Sequence, residues 1–126
     1  MTGPGHAIAV TPARAVAYAV LRRVFEQEAW ADRALHGEAR RAGLDARDRA
    51  LATQLSYGTV QRAATLDRVI ESLAERPVAR LEPAVLAALR LGIFQLAFLD
   101  GVAAHAAVTE SVELAKADAP RAAAPR

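Results

Sequence analysis

Apolar residues along this chain recur three and four positions apart, and no run alternates apolar and polar with a period of two. The first stripe is Ala13, Ala17, Val20, Leu21 and Val24. It follows Thr11-Pro12, an N-cap residue and then a proline at the first helical position, and predicts a helix from residue 12 to about Gln27. Asp32 is placed to cap a second helix carrying Ala34, Leu35 and Ala39 and stopping at Gly43. Asp45 is placed to cap a third, which holds Ala50, Leu51, Leu55 and Val60; Gly58 within it permits either close helix contact or a local break. Thr65 is placed to cap a fourth helix through Leu66, Val69, Ile70 and Leu73, ended by Pro77. A fifth starts near Pro83 and is apolar on most sides through Leu99, a pattern that belongs at the centre of a bundle. Asp100-Gly101 ends it, and a sixth runs from about His105 to Lys116. The expected organisation is therefore a flexible leader over 1–11, one all-α domain over 12–118, and a linker or truncated tail over 119–126.

Composition narrows the chemistry more than the fold. Hydrophobic residues make up 53% and aromatics only 5%, so the apolar share is mostly the helix formers Ala and Leu, with Val. Cysteine is absent, which excludes disulfides, thiolate metal sites and a cysteine nucleophile from these residues and fits a reducing cytoplasm. Leu86–Leu99 is too short to span a bilayer and contains Arg90 and Gln95, so no membrane partner is expected. Net charge is +2, unevenly spread: residues 1–62 carry nine arginines against six acids, and residues 63–126 seven basic against eight acidic. That asymmetry suits a polyanion contacting one side, although a codon bias towards Arg and Ala gives the same count.

Two stretches carry more specific information. One is Arg47-Asp48-Arg49-Ala50-Leu51-Ala52-Thr53-Gln54-Leu55-Ser56-Tyr57-Gly58-Thr59-Val60, with Leu66-Asp67 following. The other is Leu89-Arg90-Leu91-Gly92-Ile93-Phe94-Gln95-Leu96-Ala97-Phe98-Leu99-Asp100, then His105-Ala106-Ala107-Val108-Thr109-Glu110-Ser111-Val112-Glu113-Leu114-Ala115-Lys116. Together they resemble the NusB-like helical RNA-binding domain, in the form found at the front of RsmB/Sun-type ribosomal RNA cytosine-5 methyltransferases. The resemblance implies a NusB-like bundle of two subdomains, helices one to three against four to six. It also implies ribosomal RNA as partner, with a methyltransferase catalytic domain or a ribosomal protein as further partners. Ala103-Ala104 stand where the family commonly has a proline before the histidine, and Thr109 where it commonly has asparagine. The family also continues into one more helix, so the resemblance implies a bundle lacking its final helix, with Leu96, Leu99, Val112 or Leu114 uncovered.

Those relatives methylate through a cysteine thiolate and a bound cofactor. This chain has no cysteine and no glycine-rich strand-to-helix turn, so no catalytic residue, no cofactor and no enzyme activity are expected of it. Arg14, Tyr18, Arg22 and Phe25 are spaced 4, 4 and 3 along the first helix, on a stripe beside its apolar face, and Arg23 widens the basic surface. Such a stripe can grip phosphates with guanidinium forks and stack a base on tyrosine, or its aromatics can complete the core while the arginines are solvated. The resemblance implies the first use, for Arg14, Tyr18, Arg22 and Arg23. Arg47, Arg49 and Arg62 are further RNA-contact candidates, with salt bridging to Asp45 and Asp48 the alternative for the first two. His6, His36 and His105 include no i, i+4 pair, so no metal site is expected, and His105 reads as a capping or packing group. Glu110 and Glu113 share a helix face without an evident cleft, a poor basis for acid–base catalysis. The readings left open are an RNA-binding module of a methyltransferase, a free-standing NusB-type transcription antitermination factor, and a helical protein–protein adaptor.

Overall fold

End chemistry sets most of the helix boundaries. In the computed structural model, which describes residues 9–118, all regular structure among those residues is helical. The helices are α1 (Pro12–Gln27), α2 (Ala31–Ala42), α3 (Ala46–Gln61), α4 (Ala63–Ala74), α5 (Pro83–Phe98) and α6 (Ala104–Asp118), with a short 3-10 turn over Val78–Arg80. Asp45 caps α3 as its position predicts, its carboxylate accepting the Asp48 N–H at 2.8 Å. Gly43 closes α2 in the left-handed conformation, φ 65°, which only glycine adopts without strain.

Three of the expected caps are corrected. Thr11 precedes Pro12, but its side chain does not cap α1; its N–H and hydroxyl both donate to the Glu110 carboxylate, at 2.6 and 3.0 Å. Asp32 lies inside the first turn of α2, because the Trp30 carbonyl already accepts from the Ala34 N–H at 2.9 Å. Its charge there complements the helix dipole. Thr65 likewise lies inside α4, which starts directly after Arg62 and leaves a single residue between α3 and α4. The stop of α4 falls before Pro77, at Glu75, which turns left-handed with φ 56°. The Glu71 carboxylate then accepts the Val78 N–H at 2.8 Å and holds the turn that follows.

Two cores lie against different faces of α1. Ala13, Val16 and Val20 meet Ala34 and Leu35 of α2 and Ala52 of α3. Ala17, Tyr18 and Leu21 meet Leu55 of α3, Leu91 of α5 and Leu114 of α6. The first core unites α1–α3; the second joins that group to α5 and α6, and α4 packs on α3 and α5. This is the expected two-subdomain bundle. The buried face of α3 differs from expectation: Ala50 is exposed, and Ala52, Leu55, Ser56 and Thr59 are inside. Ser56 and Thr59 return their hydroxyls to the carbonyls of Ala52 and Leu55, at 2.7 and 2.6 Å, and so behave as small core residues.

At the edges, Val10 packs on the second core and is not part of a loose leader, while residues 1–8 and 119–126 lie outside the described residues. The uncovered apolar face also needs correction. Leu114 belongs to the core and Leu99 packs partly against it, whereas Leu89 and Leu96 of α5 and Val108 and Val112 of α6 stand open. No helix among the described residues is long and apolar enough to cross a membrane.

Candidate nucleic-acid interface

On α1 the expected basic stripe is present, but its groups are engaged internally. The Arg14 side chain, 11% exposed, turns inward beneath α6. Its Nε donates to Gln95 Oε1 at 2.6 Å, and its Nη1 donates to both Glu110 and Thr11 at 3.0 Å. Gln95 passes the network on, its amide donating to the Leu91 carbonyl at 3.1 Å. Four side chains from α1, α5, α6 and the residue before α1 thus satisfy one another in a nearly dry site.

Tyr18 is corrected outright as a stacking residue. It is 3% exposed, its ring is part of the second core, and its hydroxyl has no hydrogen-bond partner among the described residues. Burial, with the charge of Asp118 adding to it, pushes the phenol up to about 12. Arg22 grips Glu26 with two bonds of 2.6 and 2.7 Å and reaches Asp118 at 3.3 Å. The hydrogen bond to Glu26 raises its basicity further. Arg23 faces Glu38 at 3.4 Å, a carboxylate it shares with Arg41. Phe25 lies under the guanidinium of Arg90, 4.1 Å from ring centroid to carbon.

The second set of candidates is freer. Arg47 is exposed in the first turn of α3 and forms no ion pair among the described residues. Arg49 meets His36 Nδ1 at 3.2 Å and neither of the neighbouring aspartates, since Asp45 is occupied as a cap. Arg62 lies over the ring of Phe98 at 4.1 Å, and Phe98 in turn stacks on Phe94 at 5.9 Å. Arg47 and Arg62 thus offer cations without carboxylate partners at the two ends of α3, as do the exposed Arg33, Arg40, Arg68, Arg76 and Arg80 elsewhere among the described residues. His105 is exposed in the first turn of α6 and is not a packing group. The carboxylate of Glu110 is spent on Arg14 and Thr11.

Sequence reasoning missed the aromatic partner of Arg62, because Phe98 is distant in sequence and reads as one more apolar residue of α5. It also missed the bidentate Arg90–Asp67 pair, both bonds 2.8 Å, which ties α5 to α4. The signal was present: Arg90 and Gln95 interrupt an otherwise apolar run, and a buried polar group needs a partner.

Comparison with known proteins agrees with this architecture. Residues 11–124 match the NusB family, and the chain belongs to it. It is 39% identical over 106 residues to the "Probable ribosomal RNA small subunit methyltransferase B" of Synechocystis, a match covering 84% of this chain and 24% of that protein. The chain thus spans about a quarter of the length of that relative. It is also 41% identical over 75 residues to the transcription antitermination protein NusB of Halorhodospira halophila, covering 60% of this chain and 48% of that one. Among solved structures, antitermination factors NusB and NusE in complex with dsRNA offer a chain with the same fold. The TM-score is 0.81 at 24% identity, over 89% of this chain and 84% of the other.

Proposed function

We propose that these residues are the N-terminal RNA-binding module of a small-subunit ribosomal RNA (cytosine-5) methyltransferase, working in the cytoplasm beside a separate catalytic domain. The observation that carries this is the extent of the match: 84% of this chain aligns with 24% of a methyltransferase. The match to NusB itself favours a free-standing antitermination factor, but it covers only 60% of the chain. Without a cysteine these residues hold no thiolate to attack a pyrimidine, so they supply binding and not chemistry. Arg47 and Arg62 supply cations without carboxylate partners. Arg22 and Arg23, paired near the surface, can exchange carboxylates for phosphates. Arg14 cannot do so without opening a buried network.

The test is a salt titration of binding to fragments of small-subunit ribosomal RNA. Affinity should fall with rising salt, and Arg47→Gln should flatten the plot of log affinity against log salt by about 0.7–0.9. Saturable binding of S-adenosylmethionine by this chain would overturn the assignment, as would failure to bind RNA at low salt.

A further inference from the structure

Tyr57, half-buried on α3, stands between two adjoining grooves. On one side Gln54, Arg62, Phe94 and Phe98 enclose about 400 Å3 between α3 and the end of α5. On the other, Trp30 and Asp32 enclose about 320 Å3 against the start of α2. Tyr57 and Gln61 line both. Each groove falls at the lower end of the roughly 300–1,000 Å3 typical of small-ligand clefts.

What lines these grooves is unusual for a bundle surface. Trp30 is the chain's one tryptophan and is 74% exposed at the start of α2, so the core does not use its indole. Phe98 is 38% exposed although Phe94, one turn earlier, is buried. Gly58 makes this possible, since a Cβ there would overlap the Phe94 ring; the glycine lets that ring lie across α3 and carry Phe98 above it. Phe94, Phe98 and the Arg62 guanidinium then form a stacked column whose outer end is a planar cation in solvent. No acid lines that groove, and Asp100, one residue beyond its rim, makes no ion pair with Arg62. Arg47 lies on the same face of α3, seven residues before Gln54, and extends the polar track.

We propose that the two grooves flanking Tyr57 are a subsite for an unpaired stretch of RNA, with one base in each. Tyr57 and Trp30 are the stacking walls, and every base offers a π-face to such walls. Arg62 supplies either a second plane or a phosphate contact, and the amides of Gln54 and Gln61 reach base edges. Asp32 accepts only, so its groove suits a base with an exocyclic amino group. Stacking on these walls needs a base with a free face, which a base inside a duplex does not offer. The proposal rests on the reading that the chain binds RNA, and it specifies where and in what form.

The full chain is titrated with a fluorescently labelled single-stranded fragment of small-subunit ribosomal RNA and with the matching duplex. Label anisotropy and Trp30 emission are followed together. Single-stranded RNA should quench Trp30, and duplex should leave it largely unchanged. Tyr57→Leu keeps the apolar packing and removes the aromatic face; it should weaken single-strand binding about 5- to 150-fold and spare duplex binding. Arg62→Gln should flatten the single-strand salt slope by about 0.7, and Arg62→Lys should restore it. Thermal melts of the variants confirm that they fold. If RNA raises the anisotropy while Trp30 emission stays constant and both variants bind like the parent, the grooves are not the site and RNA binding stands. Equal losses for single strand and duplex would overturn the unpaired-base assignment. Absence of binding by either RNA would overturn both readings.

Discussion

A guanidinium on α1 does different work depending on where along the helix it sits. Arg14 and Arg22 are eight residues apart on one stripe, yet the first is roofed by α6 and the second remains near water. Removing one partner of a buried ion pair strands the other, at a cost of about 3–5 kcal/mol. Arg14→Gln should approach that loss, read as a lower denaturant midpoint, while Glu26→Gln at the exposed pair should cost under about 1 kcal/mol. Tyr18 gives a second prediction. Its phenol is raised to about 12 from an ordinary value of 10.0, so the folded state favours the neutral form. The stability tied to that form is complete below pH 10 and is lost as pH climbs towards 12. Tyr18→Phe should leave neutral-pH stability unchanged or higher, because no described hydrogen bond is lost, and should remove this part of the alkaline decline. Thermal melts across the alkaline range read both effects.

At the scale of elements, close approach between α3 and α5 depends on a missing side chain. Alanine normally improves a helix over glycine by about 1 kcal/mol. At Gly58 the added methyl would overlap the Phe94 ring, and overpacking costs about 1–3 kcal/mol. Gly58→Ala should therefore lower the melting temperature, and pairing it with Phe94→Leu should recover part of the loss. Much at this scale was legible in the sequence: Pro12, Asp45, Gly43 and Pro83 mark true boundaries. Asp32 and Thr65 misled because a capping residue type is not yet a cap; what decides is whether a carbonyl upstream already has a helical partner. Thr11, by contrast, stands at the N-cap position, and its side chain is drawn off by Glu110. Ser56 and Thr59 misled in the opposite sense, since hydroxyls that bond their own helix are polar in composition only. The arginine network was illegible for a simpler reason. Gln95 and Glu110 stand 81 and 96 residues from Arg14, beyond any local pattern.

The molecule as a whole shows where the residues that carry the family resemblance are employed. Arg90 and Asp67 bind each other, Gln95 and Glu110 bind Arg14, and Gly58 and Gly92 admit Phe94 and Ser111. Those residues hold the bundle together, so the resemblance they carry identifies a fold more directly than a binding surface. Much of the lining of the grooves beside Tyr57 lies in the same two stretches, but Trp30, Asp32, Gln61 and Arg62 do not, and only the fold brings the two groups together. Elsewhere, Gly92 meets Ser111 in the buried seam between α5 and α6, and the exposed Leu89, Leu96, Val108 and Val112 are placed one turn or one residue from that contact. They form a shared apolar face across α5 and α6. Such a face should bind a hydrophobic dye and limit solubility. The double variant Leu96→Gln, Val112→Gln should reduce dye fluorescence and raise the concentration at which the protein precipitates, without lowering its helical content.

The bond between Thr11 and Glu110 spans 99 residues, and it has a consequence in time as well as in space. On a ribosome adding about 5–20 residues per second, α1 waits roughly 5–20 s for the helix that supplies its carboxylate. Throughout that interval Arg14 lacks its acid and the Leu21 side of α1 lacks Leu114, so the nascent chain exposes a groove that the finished domain never shows. Chaperones that act on nascent chains should therefore dwell on this domain until α6 emerges. Stalling translation at successive lengths would reveal a sharp gain of protease resistance only once Glu110 has left the exit tunnel.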